Sequence, residues 1–331
     1  LSDKSYDIPV RIADLIEKED VVISMTHFGY VKRLPVTEYR SQRRGGRGVT
    51  GHKPKEEDFV ENMFICNTHD DILYFTNKGK VYSTKAFEIP EAQKTARGRA
   101  IVNLLQLTED EKVTAVIPLT EGARGYLFMA TKRGLVKKTD LKEFESIRKV
   151  GKIAITLIDD DELIGVSQTT GYDEIIIASS EGKCIRFSEE DVRAMGREAQ
   201  GVRSMKIDDD DFIVDMSVVK NGLEVITISQ NGYGKRSDII DYRLQSRAGK
   251  GIKAGVFNEK TGRLVNLKLV DPEDDIMIIS DNGVIIRVAA KEISKIGRDT
   301  QGVRIMRFKQ GEANVVCLAN TPADAEDIEE E

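Results

Sequence analysis

The chain has 331 residues, with 50 lysines and arginines against 56 aspartates and glutamates, a formal charge of −6, and 40% hydrophobic residues. That apolar content can supply a substantial core, while no apolar run approaches the ~18 residues a membrane-spanning helix needs and no signal-peptide pattern opens the chain. The negative balance is local: residues 323–331 hold Asp324, Glu326, Asp327, Glu329, Glu330 and Glu331 with no base, and the rest of the chain is neutral.

The first residue is Leu1 rather than Met, as expected of a piece of a longer polypeptide. Residues 1–20 read as a lead-in segment, with a helix expected over 10–18. A hairpin pattern follows at 21–33, an apolar run turning at Gly29 into a more polar strand. Beyond it stands the heptapeptide Gln42, Arg43, Arg44, Gly45, Gly46, Arg47 and Gly48. Arginine offers planar, permanently charged donors that suit phosphate oxygens, and glycine lets backbone amides approach the same anion. Such a loop suits a polyanion; a solvated loop or an RGG-type RNA-binding tract remain the alternatives on chemistry alone.

The hairpin pattern then recurs at 72–84, 126–138, 174–187, 224–236 and 276–288. The turn glycines Gly29, Gly79, Gly134, Gly182, Gly232 and Gly283 stand 50, 55, 48, 50 and 51 residues apart. A second glycine follows each (Gly48, Gly98, Gly151, Gly201, Gly251, Gly302), at an offset of 19 in five units and 17 in the third. Each second glycine opens another strand, then comes a short acidic turn and a further apolar strand. Six units of four short Val- and Ile-rich strands predict an all-β, six-bladed, propeller-like disc over 21–320, with a disordered acidic tail over 321–331. A solenoid of stacked repeats is the competing architecture. Little helix is expected beyond 10–18 and short pieces at 189–195 and 291–296. The apolar strand at 314–320 looks spare, and is expected to close the ring by completing the first blade.

Bases keep to one phase of the unit and acids to another. After the hairpin turns come Lys32, Arg33, Lys80, Lys137, Lys138, Arg186, Lys235, Arg236 and Arg287, with Arg133 at a turn. Around the second glycines come Arg97, Arg99, Arg203, Arg247, Lys250 and Arg298, with Arg197, Lys253 and Arg304 in the same phase. The acids cluster about ten residues past the second glycine, as in 109–111, 159–162 and 208–211, and read as solvated turns. In a ring, segregation by phase becomes segregation in space. A basic belt on a curved body is a track for duplex DNA, held through phosphates and sensitive to deformability rather than base identity. The bland alternative is solubilising charge on exposed strands.

The heptapeptide, preceded by GYVKRLPVTEYRS and followed by five further units, resembles the C-terminal domain of the A subunit of bacterial DNA gyrase over essentially the whole chain. The resemblance implies a six-bladed β-pinwheel that wraps double-stranded DNA without sequence specificity around a basic rim, with residues 42–48 as the GyrA box needed for wrapping. It implies a non-catalytic part of an ATP-dependent type IIA topoisomerase introducing negative supercoils, with the catalytic tyrosine and ATPase outside this fragment. The partners implied are the remainder of the gyrase A polypeptide and the gyrase B polypeptide, in an A2B2 assembly in the bacterial cytoplasm, the isolated domain being a monomer. The related topoisomerase IV domain, with an eroded box and fewer or variable blades, is the near alternative; a propeller scaffold for an acidic protein partner is the more distant one. No cofactor is expected. His27, His52 and His69 lack metal-ligand spacing, and Asp208–Asp211 lacks the pattern of an EF-hand loop. Cys66, Cys184 and Cys317 read as buried free thiols of a reducing compartment.

Overall fold

The computed structural model describes residues 11–36, 58–93, 96–147, 149–309 and 311–322. The box at 42–48 and the acidic tail from Ala323 onward lie outside the described residues. In the first three units the strands are β1 (Asp20–Thr26), β2 (Tyr30–Pro35), β3 (Val60–Asn67), β4 (Asp71–Thr76), β5 (Lys80–Lys85), β6 (Arg99–Ala100), β7 (Val113–Leu119), β8 (Tyr126–Thr131), β9 (Leu135–Asp140), β10 (Lys152–Ile153) and β11 (Leu163–Thr169). The last three contribute β12 (Glu174–Ser179), β13 (Lys183–Ser188), β14 (Val202–Arg203), β15 (Ile213–Val218), β16 (Glu224–Ser229), β17 (Tyr233–Ser237), β18 (Ile252–Lys253), β19 (Leu264–Val270), β20 (Asp275–Ser280), β21 (Ile285–Ala289), β22 (Val303–Arg304) and β23 (Val315–Thr321).

The third blade shows how the chain is used. Strands β8 and β9 form the hairpin, β11 pairs with the free side of β8, and the two-residue β14 pairs with β9. Strand β14 belongs to the following unit, so this hairpin receives its last strand from its successor. The same exchange gives the sheets β3-β1-β2-β6, β10-β5-β4-β7, β15-β12-β13-β18 and β19-β16-β17-β22. The sixth sheet, β21-β20-β23, has three strands among the described residues. Strand β23 thus pairs with β20 in the last blade, where the sequence suggested that 314–320 would complete the first. The reason is chain order: each unit returns to its own hairpin after lending its short strand, so none of the six apolar strands is spare.

The returning strands β3, β7, β11, β15, β19 and β23 are neighbours in succession, and β23 meets β3 again. They therefore surround the axis, and the short lent strands form the outer edge. Middle strands such as β12, with Ile175, Ile176 and Ile177 fully buried, are covered on both faces by adjacent blades. That is why they read as continuous apolar runs rather than alternating ones. Phe128 and Val136 of the third blade, for instance, pack with Ile175, Ile177 and Phe187 of the fourth. Burying one such side chain contributes about 1.5–3 kcal/mol, so each interface between blades is a small core of its own.

Ring closure rests on the start of β3. Phe59, 3% exposed, packs among Met277, Ile279, Ile285 and Ala319 of the last blade. Beside it the Thr321 hydroxyl donates to the Val60 carbonyl at 3.0 Å. The expected helices are shorter than the pattern suggested: the first covers Ile12–Leu15, and those at 189–195 and 291–296 reduce to single 3-10 turns at Glu189–Asp191 and Ala290–Glu292. Similar turns follow three of the other hairpins, at Ala86–Glu88, Leu141–Phe144 and Ile239–Asp241. Each ends because the chain immediately becomes extended to seal against the preceding blade, as in the parallel bridges of Lys138 with Ala194 and Arg186 with Leu244.

Candidate nucleic-acid interface

The outer edge is built from the loops that carry the lent strands. Gly201, at φ +96°, enters β14 so close to β9 that a Cβ there would lie 2.5 Å from the Val136 carbonyl oxygen. Only glycine permits that crossing. Successive loops are then hydrogen-bonded to one another. Arg197 Nη1 donates to the Ile153 carbonyl at 2.9 Å, and the Thr156 amide to the Ala199 carbonyl at 3.3 Å. Arg247 Nη1 donates to the Arg203 carbonyl at 2.6 Å, and the amides of Ala248 and Lys206 pair across the same two loops. Arg298 Nη1 donates to the Lys253 carbonyl, and the Val256 amide to the Thr300 carbonyl. From the third unit to the sixth, the loops form one seam around the outer edge.

Several of the bases picked from sequence stand exposed along it or beside it: Arg97 and Arg99 before and in β6, Arg203 in β14, Lys250 beside β18, and Lys80 and Arg133 at hairpin turns. Arg97 lies 3.9 Å over the ring of Tyr30. Arg247 and Arg298 are half-buried, with guanidinium groups tied to neighbouring loops as above. Three further exposed bases, Lys206, Arg304 and Arg307, share the seam. Lys206 and Arg307 were missed because they follow the second glycine by five residues, outside the phase taken from the other units.

Beyond the exposed Lys80 that opens β5, the bases picked on the second hairpin strands face inward. Lys32, Lys137, Lys138 and Lys235 are buried, and Arg33, Arg186, Arg236 and Arg287 are half-buried. The sequence put them on the outer track, but these strands are not free edges: the hairpin partner pairs one side, and along the other run the lent strand and then the extended segment after the following unit's 3-10 turn, as for β9. Arg186 shows the pattern, pairing with Glu174 at 2.5 Å and donating to the Ile239 and Tyr242 carbonyls. Arg236 does the same with Glu224 and the Ile293 and Lys291 carbonyls. Arg33 Nε reaches the Ile89 carbonyl, Lys138 Nζ the Glu189 carbonyl, and Arg287 Nε the Asp275 carboxylate. Arg33, Lys138, Arg186 and Arg236 thus stitch each blade to the next, while the Arg287 pair lies within its own hairpin.

The ammonium groups one position earlier hold the outer loops themselves. Lys137 Nζ donates to the carbonyls of Gly196, Arg197 and Ala199 at 2.9, 2.6 and 3.2 Å. Lys235 Nζ donates to those of Arg298 and Thr300, and Lys32 Nζ to those of Gln93 and Ala96. Burial pushes Lys137 and Lys235 down to about 8, which still leaves both charged at neutral pH.

The acidic turns also divide. Asp211, 2% exposed, accepts from the Ser180 hydroxyl and the Glu181 amide, while Asp161 accepts from the Arg133 amide and Asp58 from the Phe28 amide. Asp211, Asp161 and Asp58 therefore each cap an adjoining hairpin turn, while Glu111 accepts from the Thr76 and Tyr82 hydroxyls. The carboxylates of Glu181, Asp208 and Asp210 approach within 4.8 Å, with Lys183 3.7 Å from Asp208 and Arg263 4.0 Å from Asp210. His27 stacks on Phe59 and bonds Glu61 at 3.2 Å, and His69 meets the Ile16 carbonyl; His52 lies outside the described residues. Burial raises the thiols of Cys66 and Cys184 to about 12 and that of Cys317 to about 11, so all three remain protonated fillers.

Six blades in a ring, with a hydrogen-bonded and cationic outer seam, define a propeller-type domain. The model of the family described as "DNA gyrase C-terminal domain, beta-propeller" matches residues 20–67, 70–120, 125–170, 173–220, 223–271 and 274–318, one match to each blade. The chain belongs to that family. It is 47% identical over 323 residues to the A subunit of DNA gyrase from Escherichia coli (strain K12), a match that covers 97% of this chain and 37% of the relative. Against the A subunit of DNA gyrase from Staphylococcus aureus (strain NCTC 8325 / PS 47) the identity is 43% over 318 residues, covering 95% of this chain and 36% of the relative. The chain thus spans little more than a third of the length of these relatives. Among solved structures, a DNA gyrase A C-terminal domain superposes with a TM-score of 0.66 at 26% identity, covering 91% of this chain and 99% of that one. The C-terminal domain of a DNA topoisomerase IV superposes with a TM-score of 0.82 at 24% identity over 95% of this chain and 96% of that one, which is a likeness of fold.

Proposed function

We propose that this chain is a non-catalytic DNA-wrapping domain of a gyrase A polypeptide. Duplex DNA would follow the outer seam, its phosphates neutralised by Arg97, Arg99, Arg203, Lys250 and their neighbours. The observation that carries the reading is the seam itself, in which successive loops with exposed bases are hydrogen-bonded into a curved path. Backbone contact and bending need no base readout, and the release of counterions supplies the affinity. Residues 42–48 are assigned to the same path as the box required for wrapping, and the acidic tail as a competitor for the seam. In the whole enzyme, with the remainder of the gyrase A polypeptide and with gyrase B in an A2B2 complex, the bent duplex would present the segment transported during ATP-dependent negative supercoiling in the bacterial cytoplasm.

Nicked circular DNA ligated in the presence of the domain should show a changed linking number, and affinity should fall by ~0.9 log units per log unit of salt for each phosphate contacted. An unchanged topoisomer distribution at saturating domain would overturn this reading and favour a scaffold for an acidic protein.

A further inference from the structure

Position three after the turn glycine alternates around the ring. It is Lys32, Lys137 and Lys235 in the first, third and fifth blades, and Tyr82, Ile185 and Ile286 in the second, fourth and sixth. Each lysine is buried, and each ammonium is bonded to carbonyls of the loop that lends the outer strand to its own blade. The Ala199 carbonyl accepts from Lys137 and from the Thr156 amide, and the Thr300 carbonyl from Lys235 and from the Val256 amide. A single buried charge therefore fixes the joint between two adjoining loops. In the even blades the place is filled by packing, as where Tyr82 lies under Gly151.

The exposed bases of these loops do not share the alternation, since both residue types stand on both kinds of loop. The loops held by a lysine present Arg97 and Arg99 in one, Arg203 and Lys206 in another, and Arg304 and Arg307 in the third. The described loops without such a lysine present Lys149 beside the half-buried Lys152, or Arg243, Lys250 and Lys253 around the half-buried Arg247, and Lys149 is paired with Glu88 at 2.5 Å. Arginine's planar fork gains most from a fixed carrier, because bidentate contact with phosphate depends on orientation, whereas a lysine acts as a point charge on a flexible stem.

We propose that Lys137 and Lys235, with Lys32, are positioning residues for DNA wrapping: buried ammonium posts that fix the loops carrying Arg97, Arg99, Arg203, Arg304 and Arg307, so that these arginines meet phosphate in a set orientation. The inference rests on the wrapping function. A buried ammonium is costly to desolvate and is retained only where carbonyls replace its water. Hydrophobic packing serves the same position in the even blades, so what the ammonium adds is a fixed set of carbonyl directions.

The test uses the whole chain with Lys137→Met and Lys235→Met, and Lys137→Gln as a milder replacement should the methionine variant fail to fold. Phe144→Ala, which loosens the core between the second and third blades, is the control for lost stability. In the ligation assay each post variant should lower the linking-number change per bound domain about threefold or more, while affinity at low salt stays within about twofold, because the exposed charges remain. Hydrogen exchange should quicken over 196–203 or 298–304 and not over the hairpins. The proposal is overturned if the post variants change linking number as the parent does, or if the control lowers wrapping equally at matched loss of stability. If the parent itself leaves linking number unchanged, the wrapping function fails and the posts fail with it.

Discussion

The seam between the first and last blades offers a quantitative test of ring closure. Phe59 is 3% exposed and its ring fills the space bounded by Met277, Ile279, Ile285 and Ala319. Replacing a buried phenylalanine by alanine costs about 3–5 kcal/mol, the lost transfer energy plus the cavity. Besides that ring, the seam holds the Thr321 hydroxyl bond to Val60, a contact of about 1 kcal/mol net. Phe59→Ala should therefore remove most of the packing that the described residues place between the two blades, and the loss should appear locally. About 3 kcal/mol corresponds to somewhat more than a hundredfold rise in the opening equilibrium, so native-state hydrogen exchange over 60–66 and 315–321 should accelerate by that factor while the third and fourth blades are little changed. Unaltered protection over 315–321, or acceleration spread evenly over all six blades, would refute the argument that Phe59 closes the ring.

His27 is raised above its ordinary pKa, chiefly by its hydrogen bond to Glu61, against the opposing effect of burial. Its contribution is present in full below the unfolded value of about 6.5 and is lost as pH rises through the higher folded value, so denaturant stability should fall as pH rises above about 6.5, and His27→Gln should flatten that slope. Gly201→Ala puts a Cβ 2.5 Å from the Val136 carbonyl oxygen in a left-handed backbone, and should cost about 2 kcal/mol or more, seen as loss of exchange protection in β14 and β9. Alanine in place of all seven residues 42–48 should abolish the linking-number change and leave the thermal midpoint within experimental error. Removing residues 324–331 should raise DNA affinity at low salt, and equal affinities would make the tail inert.

Much of the architecture was legible because sixfold repetition multiplied weak signals. One glycine turn between apolar runs means little, but six at nearly constant spacing fixed the hairpins and the strand-opening glycines. The direction of side chains was less legible. Lys137 and Arg186 look like surface bases in a polar strand, and only the non-local cover from the next unit buries them. Asp211 and Asp161 look like solvated turn acids, yet a hairpin amide elsewhere in the chain claims each one. The role of 314–320 was misread for a related reason, since pairing within a unit runs backward across the lent strand and leaves no local trace. The alternation of Lys32, Lys137 and Lys235 with Tyr82, Ile185 and Ile286 was visible in the letters. It acquires meaning only with the carbonyls each ammonium meets.

Lending one strand backward also constrains how the molecule is made. When the ribosome has produced the hairpin β8–β9 and the returning β11, that blade still lacks β14, which arrives some thirty residues later. Each sheet therefore waits for its successor, and folding should advance along the nascent chain with a lag of one unit. A chain cut between any two units would leave one sheet short of its outer strand and another open on its face, so shortening by whole units should damage two blades for each cut.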